Sequence, residues 1–120
     1  MTFRREKDLQ EKVRDAIIKR YGSEIWYYHS RSMLQKDSID IILCFKGYFI
    51  GIELKKDLLV KGPTKMQQYN LNRIKKAKGA TIVADSVQQV LSNLLYFERN
   101  LILLEFWQAK GKELCQMKEE

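Results

Sequence analysis

Apolar residues recur along the chain with two periods, one helical and one typical of strands. They return every three or four positions through Glu6–Tyr21, and Gly22 follows, so this segment is predicted to form a helix. Ile25–His29 and the apolar runs at 39–45 and 48–55 are rich in β-branched and aromatic residues, which favour strands. The polar segment between the first two of these runs has no period and is predicted to be a loop.

A loop at 57–63 separates the first half of the chain from the second. Residues 64–78 have helical spacing, and Thr64 stands where a helix N-cap is expected. Ala80–Ala84 follows as a short apolar run, which is typical of a buried strand.

Ser86 and Gln89 have the spacing of a capping box, which predicts a further helix to about Arg99. The apolar run at 101–107 is typical of either a strand or a helix. The predicted order is therefore α-β-β-β-α-β-α with a tail, which indicates an α/β fold with a mixed central sheet flanked by helices.

The two central strands are joined by Lys46 and Gly47 alone, which is the pattern of a tight hairpin. In that register Asp40 directly faces Glu53 on one face of the sheet, where two like charges destabilise the fold unless something offsets them. Lys55 lies two residues beyond Glu53, so its side chain shares that face.

A divalent cation would offset the two carboxylates, because Mg²⁺ takes oxygen ligands and commonly binds one or two carboxylates together with water and phosphate. The pattern therefore indicates hydrolysis of a phosphodiester, with Lys55 orienting a water or stabilising charge on the phosphate. The alternative is a solvent-exposed hairpin edge whose acids pair with lysines such as Lys56. We favour the metal site because apolar residues flank both acids, so the charges interrupt what otherwise reads as buried strand.

The composition of the chain favours some classes of function and disfavours others. The chain carries 22 Lys and Arg against 15 Asp and Glu, a net charge of +7, which favours a polyanionic partner such as nucleic acid. Its single histidine and two cysteines disfavour a zinc site or a serine-histidine triad. With neither a signal peptide nor a membrane span in the sequence, we expect a cytoplasmic protein with no membrane contact.

The length of 120 residues suits one domain, with a core at about 6–99 and a C-terminal extension at 100–120. The extension is more apolar than the closing element of a small domain requires. We therefore expect it to contribute to a homodimer contact.

Several short motifs follow one another in order. They are Ser38-Ile39-Asp40-Ile41-Ile42, Gly47-Tyr48-Phe49-Ile50-Gly51-Ile52-Glu53-Leu54-Lys55, Thr64-Lys65-Met66-Gln67, Gly79 and Val83-Ala84-Asp85-Ser86-Val87. Together they resemble the PD-(D/E)XK nuclease superfamily and, within it, the VRR-NUC family with its small stand-alone phage-type members. The resemblance covers most of residues 6–90, and the chain departs from the family's frequent Gly-x-Pro-Asp at Asp37-Ser38-Ile39-Asp40.

This resemblance implies a restriction-endonuclease-like αβββαβ core and an endonuclease that acts on DNA with Mg²⁺ or Mn²⁺, in several relatives on branched DNA such as Holliday junctions. It implies that Asp40, Glu53 and the backbone carbonyl of Leu54 bind the metal and that Lys55 is the catalytic lysine. A catalytically inactive nucleic-acid-binding domain and an RNA-directed nuclease are the alternatives.

Relatives also carry an acid on the first helix and a glutamine after the Glu-x-Lys strand. Glu6 has the helical phase of the apolar stripe and Glu11 does not, so Glu6 is the better candidate for the acid, although a charge that stabilises the helix dipole explains it equally well. Gln67 matches the glutamine and Gln68 is its substitute, but Gln67 would also complete a capping box with Thr64, and both interpretations stay open.

Basic residues around the hairpin are expected to contact nucleic-acid phosphates. The candidates are Arg31, Lys36, Lys56, Lys61 and Lys65. The aromatic run Trp26-Tyr27-Tyr28 is predicted to serve strand packing rather than base stacking, and His29 is a weaker candidate for a role at the site.

Overall fold

The computed structural model describes residues 6–29 and 39–119, with side chains throughout except at 104–109 and 111–119. Three helices and four strands make up the described chain, with one short 3-10 turn at Gly22–Glu24. The elements in chain order are α1 (Glu6–Tyr21), β1 (Ile25–His29), β2 (Ile41–Phe45), β3 (Tyr48–Leu54), α2 (Lys65–Lys76), β4 (Ala80–Ala84) and α3 (Val87–Glu119). The predicted α-β-β-β-α-β-α order is confirmed.

The four strands form one sheet in the order β1-β2-β3-β4. β1, β2 and β3 are antiparallel neighbours, whereas β3 and β4 are parallel and joined through α2. The sheet is thus mixed, as predicted. Lys46 and Gly47 form the hairpin turn with positive φ angles of 51° and 88°, and the predicted register follows, with Ile41 opposite Ile52.

Alternate residues of the strands separate the two faces of the sheet. One face packs against α1 and α3 and forms the hydrophobic core. Its fully buried members include Leu9, Val13, Ile17, Ile41, Leu43, Phe45, Ile50, Ile52, Leu54, Val90 and Leu94. The other strand positions, Glu53 among them, point to the opposite face, where α2 packs against β3 and β4.

Two glycines allow α2 to lie close to this opposite face. A Cβ atom at Gly51 would come within 2.7 Å of Ile74 Cδ1, and one at Gly79 within 2.8 Å of Ile74 Cγ2. The close approach brings the first turn of α2 against the end of β3, where Glu53 lies.

The C-terminal prediction needs a correction. A helix ending near Arg99 was expected, with an ambiguous element at 101–107, but α3 is one helix of 33 residues, or about 50 Å. No proline interrupts the sequence there, and Leu101 still packs against the core, so the helix continues past its expected end. The predicted strands at 39–45 and 48–55 are also shorter, since Asp40 and Lys55 lie just outside β2 and β3.

Candidate active site

The two predicted carboxylates meet where β2 begins and β3 ends. Asp40 precedes the first ladder pair, and its Oδ2 accepts a hydrogen bond of 2.8 Å from the backbone N–H of Leu54. This bond holds Asp40 against the end of β3, and its carboxyl lies close enough to Glu53 to raise the pKa of that group. The geometry expected from the hairpin register is therefore present.

Glu53 is almost fully buried, with 1% of its surface exposed. Its Oε1 accepts a hydrogen bond of 2.7 Å from Gln67 Nε2. Its Oε2 is buried and has no hydrogen-bond donor among the described residues. A buried carboxylate oxygen costs free energy when no donor or cation reaches it. Glu53 therefore has one oxygen held in place and one oxygen available to a ligand.

Gln67 caps α2 and also contacts Glu53. Its backbone N–H donates to Thr64 Oγ1 at 3.2 Å, while its Oε1 accepts from the Thr64 N–H at 2.9 Å, which completes the capping box of α2. The remaining amide nitrogen donates to Glu53. Gln68, the substitute candidate, is exposed and donates instead to the carbonyl of Pro63.

The close approach of two acids raises their pKa values. Burial is the main cause at Glu53, followed by the charge of Asp40 and a hydrogen bond between the two carboxyls, and together they raise the pKa of Glu53 to about 8. Burial also raises the pKa of Asp40, against the opposing effect of the Leu54 N–H. In the absence of a cation the pair therefore retains a proton near neutral pH, which Glu53 can donate to Asp40.

Lys55 is the third member of the cluster. It is 6% exposed, and its backbone N–H donates to the carbonyl of Ala84 at 2.9 Å, which extends the β3–β4 pairing by one residue. Its positive charge lowers the pKa of both Asp40 and Glu53, so the ammonium group lies within electrostatic range of the two acids. The structure thus brings Asp40, Glu53 and Lys55 together.

A surface pocket of about 390 Å³ includes Glu6, Lys56 and Lys61. The negative charge of Glu6 raises the pKa of Asp40, which locates Glu6 near the carboxylate pair. Glu6 is exposed, however, and the expectation that it points inward with the core stripe was wrong, because the buried stripe of α1 starts at Leu9. Glu11 is exposed and is not among the charges that act on Asp40.

The remaining basic candidates are Lys65, Arg31 and Lys36. Lys65 is exposed at the first position of α2. Arg31 and Lys36 lie outside the described residues. Two exposed lysines, Lys56 and Lys61, therefore line the pocket that includes Glu6, and a third lies at the start of α2.

Asp85 is a residue that the sequence pattern did not single out. Its Oδ2 accepts a hydrogen bond of 3.0 Å from the backbone N–H of Leu58, which ties the 57–63 loop to the end of β4. It also modifies the predicted capping box of α3, because the side chain of Gln89 accepts from the Asp85 N–H while Gln89 N–H donates to Ser86. Only its position directly after a strand, next to a helix cap, could have suggested this role.

Two expectations for β1 differ from the structure. His29 bonds to Gln10 Oε1 at 3.0 Å, on the side of the sheet that faces α1, so it is directed away from the carboxylates. Trp26 and Tyr28 are exposed rather than packed, while Tyr27 between them packs against the core. The alternation was correctly predicted, but α2 does not reach β1 to cover the outer face.

The donor set suits a hard divalent cation. Asp40 and the free Oε2 of Glu53 offer two carboxylates, which matches the ligand type and the number with which Mg²⁺ commonly binds. No cluster of three or more acidic, histidine or cysteine side chains suited to a metal occurs in the described part of the chain. The residues therefore fit a site that water and substrate phosphate complete.

Among the described residues, no helix is long and apolar enough to cross a membrane. The net charge of +7 and the lysines at the pocket favour a polyanion as the partner.

A comparison with solved structures agrees with this architecture. No protein-family model matches the chain, and no curated protein matches it. A solved structure described as a VRR_NUC domain is similar, with a TM-score of 0.54 and 20% sequence identity over 69% of this chain and 90% of that one. The resemblance expected from the sequence motifs is therefore confirmed in the fold, and the chain has the fold of a VRR_NUC domain.

Proposed function

We propose that the protein is a metal-dependent nuclease that hydrolyses phosphodiester bonds in DNA. The observation that carries this proposal is the buried Glu53, whose Oε2 has no donor among the described residues and which lies against Asp40 with Lys55 in electrostatic range. A fold selected for stability alone gains nothing from two adjoining buried acids. A cation that binds both gives them a function.

Each residue of the cluster has a separate role in this proposal. Asp40 and Glu53 hold the metal, and the backbone carbonyl of Leu54 contributes a further oxygen. Gln67 fixes one oxygen of the Glu53 carboxylate by its 2.7 Å hydrogen bond, which leaves Oε2 for the metal. Such partners of ligating side chains affect metal affinity nearly as strongly as the ligands do.

Bound Mg²⁺ or Mn²⁺ supplies Lewis-acid polarisation of the phosphodiester and a water of lowered pKa. Lys55 orients the attacking water or stabilises negative charge on the phosphate oxygens, for which its buried ammonium group is well placed. Glu6, which lines the pocket, assists by orienting a water molecule or another group at the metal site.

Lys56, Lys61 and Lys65 bind the phosphates that flank the cleaved bond, together with Arg31 and Lys36. The net charge of +7 adds a general attraction to DNA that weakens with salt. Branched DNA such as a Holliday junction is the proposed substrate, and a homodimer formed through the C-terminal extension would supply two cutting sites. The exposed Ile102 and Leu103 on α3 support such a contact.

Nicking of supercoiled plasmid in Mg²⁺ or Mn²⁺ tests the proposal. We expect the wild type to nick, and Asp40→Asn, Glu53→Gln and Lys55→Met to lose activity while they retain their fold and their affinity for DNA. Asp15→Asn, an exposed acid on α1, is the matched control and should stay active. A wild type that binds DNA but cuts no duplex, flap or junction with either metal would show an inactive binding domain instead.

A substrate panel resolves the finer parts of the proposal. Linear, forked and four-way DNA are compared with RNA of the same sequence, at one protein concentration and in each metal. Faster cleavage of the four-way junction supports a resolvase. Preferred cleavage of RNA would replace DNA as the substrate class.

A further inference from the structure

The sheet face that carries the carboxylates continues into an aromatic surface. The strand register gives successive rows across β1, β2 and β3 on this face. Trp26, Cys44 and Phe49 form the row farthest from the carboxylates, and Tyr28 and Ile42 form the next, together with Gly51. Rows on one face are about 7 Å apart. Asp40 and Glu53 follow one row after Tyr28.

The aromatic surface, defined as Trp26, Tyr28 and Phe49 with Cys44 between them, is open to solvent. Trp26 is 60% exposed, Tyr28 51% and Phe49 46%, and Cys44 is also exposed. The helix on this side, α2, packs against β3 and β4, so β1 lies beyond its reach. Large aromatic side chains grouped in this way mark a binding surface.

The rings are arranged to receive flat groups. Trp26 and Tyr28 are stacked in parallel, with their planes within 7° of each other and their centroids 6.1 Å apart, so a further flat group can extend the stack. Cys44 lies between Trp26 and Phe49 and has a small side chain, so the surface is recessed between the two rings. Stacking on aromatic side chains that project from a sheet is how many proteins hold unpaired bases, and it tolerates any sequence.

The position of the surface favours nucleic acid over a second copy of the chain. A protein seated over Tyr28 would lie one row from Asp40 and would block the approach of a phosphodiester to the carboxylates. A single strand whose bases stack on the rings would instead pass its phosphates toward the lysines at the pocket. The positive charge of the chain favours the same partner.

We propose that Trp26, Tyr28 and Phe49 form a stacking platform for the unpaired bases of the substrate strand that leads into the Asp40–Glu53 site. The inference rests on the nuclease function proposed above and narrows its substrate class to nucleic acids with an unpaired segment, such as flaps, forks and opened junctions. It assigns a function to exposed aromatic residues that the core of the protein does not use.

Tryptophan fluorescence tests the platform directly. Trp107→Phe leaves Trp26 as the single tryptophan, and the protein is titrated with oligothymidylate in EDTA so that no cleavage occurs. We expect the fluorescence to be quenched on binding. Trp26→Ala and Tyr28→Ala, made in the wild-type chain, should each weaken single-strand binding by roughly tenfold in a fluorescence-anisotropy titration, and Trp26→Phe should restore it.

Tyr96→Ala is the matched control, because Tyr96 is an exposed aromatic residue on α3 and should not affect oligothymidylate binding. A second readout uses the thiol of Cys44 in a Cys115→Ser background, where saturating oligothymidylate should slow maleimide labelling. Unchanged affinity in both Trp26→Ala and Tyr28→Ala, or unprotected Cys44, overturns the platform. Sedimentation that shows dimer loss in Trp26→Ala, with oligonucleotide affinity unchanged, would assign the surface to a second copy.

The platform and the nuclease can fail separately. Base stacking without any metal-dependent cleavage would leave the platform standing and remove the nuclease. If Trp26→Ala cleaves flap and duplex DNA as fast as the wild type does, the nuclease function stands and the platform is refuted.

Discussion

The buried acid pair should make the stability of the metal-free protein fall as pH rises. The pKa of Glu53 is about 8 in the folded protein, against an ordinary value of 4.5. The folded state thus binds the proton more tightly than the unfolded state does. This contribution to stability is fully present below pH 4.5, decreases above it, and is lost once the pH exceeds about 8.

The size of the effect follows from the shift. Between pH 6 and pH 9 the proton on Glu53 accounts for up to about 3 kcal/mol of unfolding free energy, at about 1.4 kcal/mol per pH unit of difference. Water that reaches the partly exposed Asp40 reduces this figure. For a chain of 120 residues, 3 kcal/mol corresponds to roughly 10 °C in Tm.

Glu53→Gln isolates this contribution, because glutamine keeps the shape and can still accept the hydrogen bond from Gln67. Thermal unfolding is followed by circular dichroism in EDTA from pH 6 to pH 9, for the wild type, Glu53→Gln and the exposed control Glu11→Gln. We expect the wild type to lose stability relative to Glu53→Gln as the pH rises. Saturating Mg²⁺ should remove this loss of stability with pH. Parallel curves for the wild type and Glu53→Gln would refute the account of the acid pair.

Three further predictions concern the N-cap of α2, Gly79 and the lysines at the pocket. Thr64→Ala should cost about 1 kcal/mol of unfolding free energy and leave nicking intact. Gln67→Ala should have the same cost and should also weaken metal affinity, measured by calorimetry, by roughly 10- to 100-fold. Equal metal affinities of the two variants would exclude the orienting role of Gln67. Gly79→Ala should destabilise by about 1–3 kcal/mol in urea unfolding, because the new Cβ meets the backbone oxygens of Phe49 and Ile74 at 3.2 and 3.3 Å, while Gly62→Ala, with open space around it, should not. Lys56→Ala combined with Lys61→Ala should lower the salt dependence of DNA binding by about two phosphate contacts, whereas Lys19→Ala on α1 should leave it unchanged.

The hairpin was the part of the fold that the sequence determined most fully. Lys46 and Gly47 leave room for only a two-residue turn, and their positive φ angles are those such a turn needs. Once the turn is fixed, the pairing of every residue in β2 and β3 is fixed as well, and with it the meeting of Asp40 and Glu53. The prediction of the site therefore depended on the two residues of the hairpin turn.

Long-range packing explains what the sequence could not show. Strand alternation separates Trp26 and Tyr28 from Tyr27, but only the position of α2 decides which set stays exposed. The bond from Gln67 to Glu53 joins residues 14 positions apart and depends on the close approach of α2 at Gly51. α3 likewise contacts the core through Leu101, which lies beyond the end that the sequence predicted for this helix.

We propose that Asp40 and Glu53 form a pair because together they hold a divalent cation. Titration of the protein with Mn²⁺, with free Mn²⁺ measured by electron paramagnetic resonance, tests this claim without reference to any substrate. We expect saturable Mn²⁺ binding by the wild type and by Asp15→Asn, and loss of this binding in Asp40→Asn and Glu53→Gln. Mn²⁺ binding that is absent from the wild type, or that survives both substitutions, would contradict it.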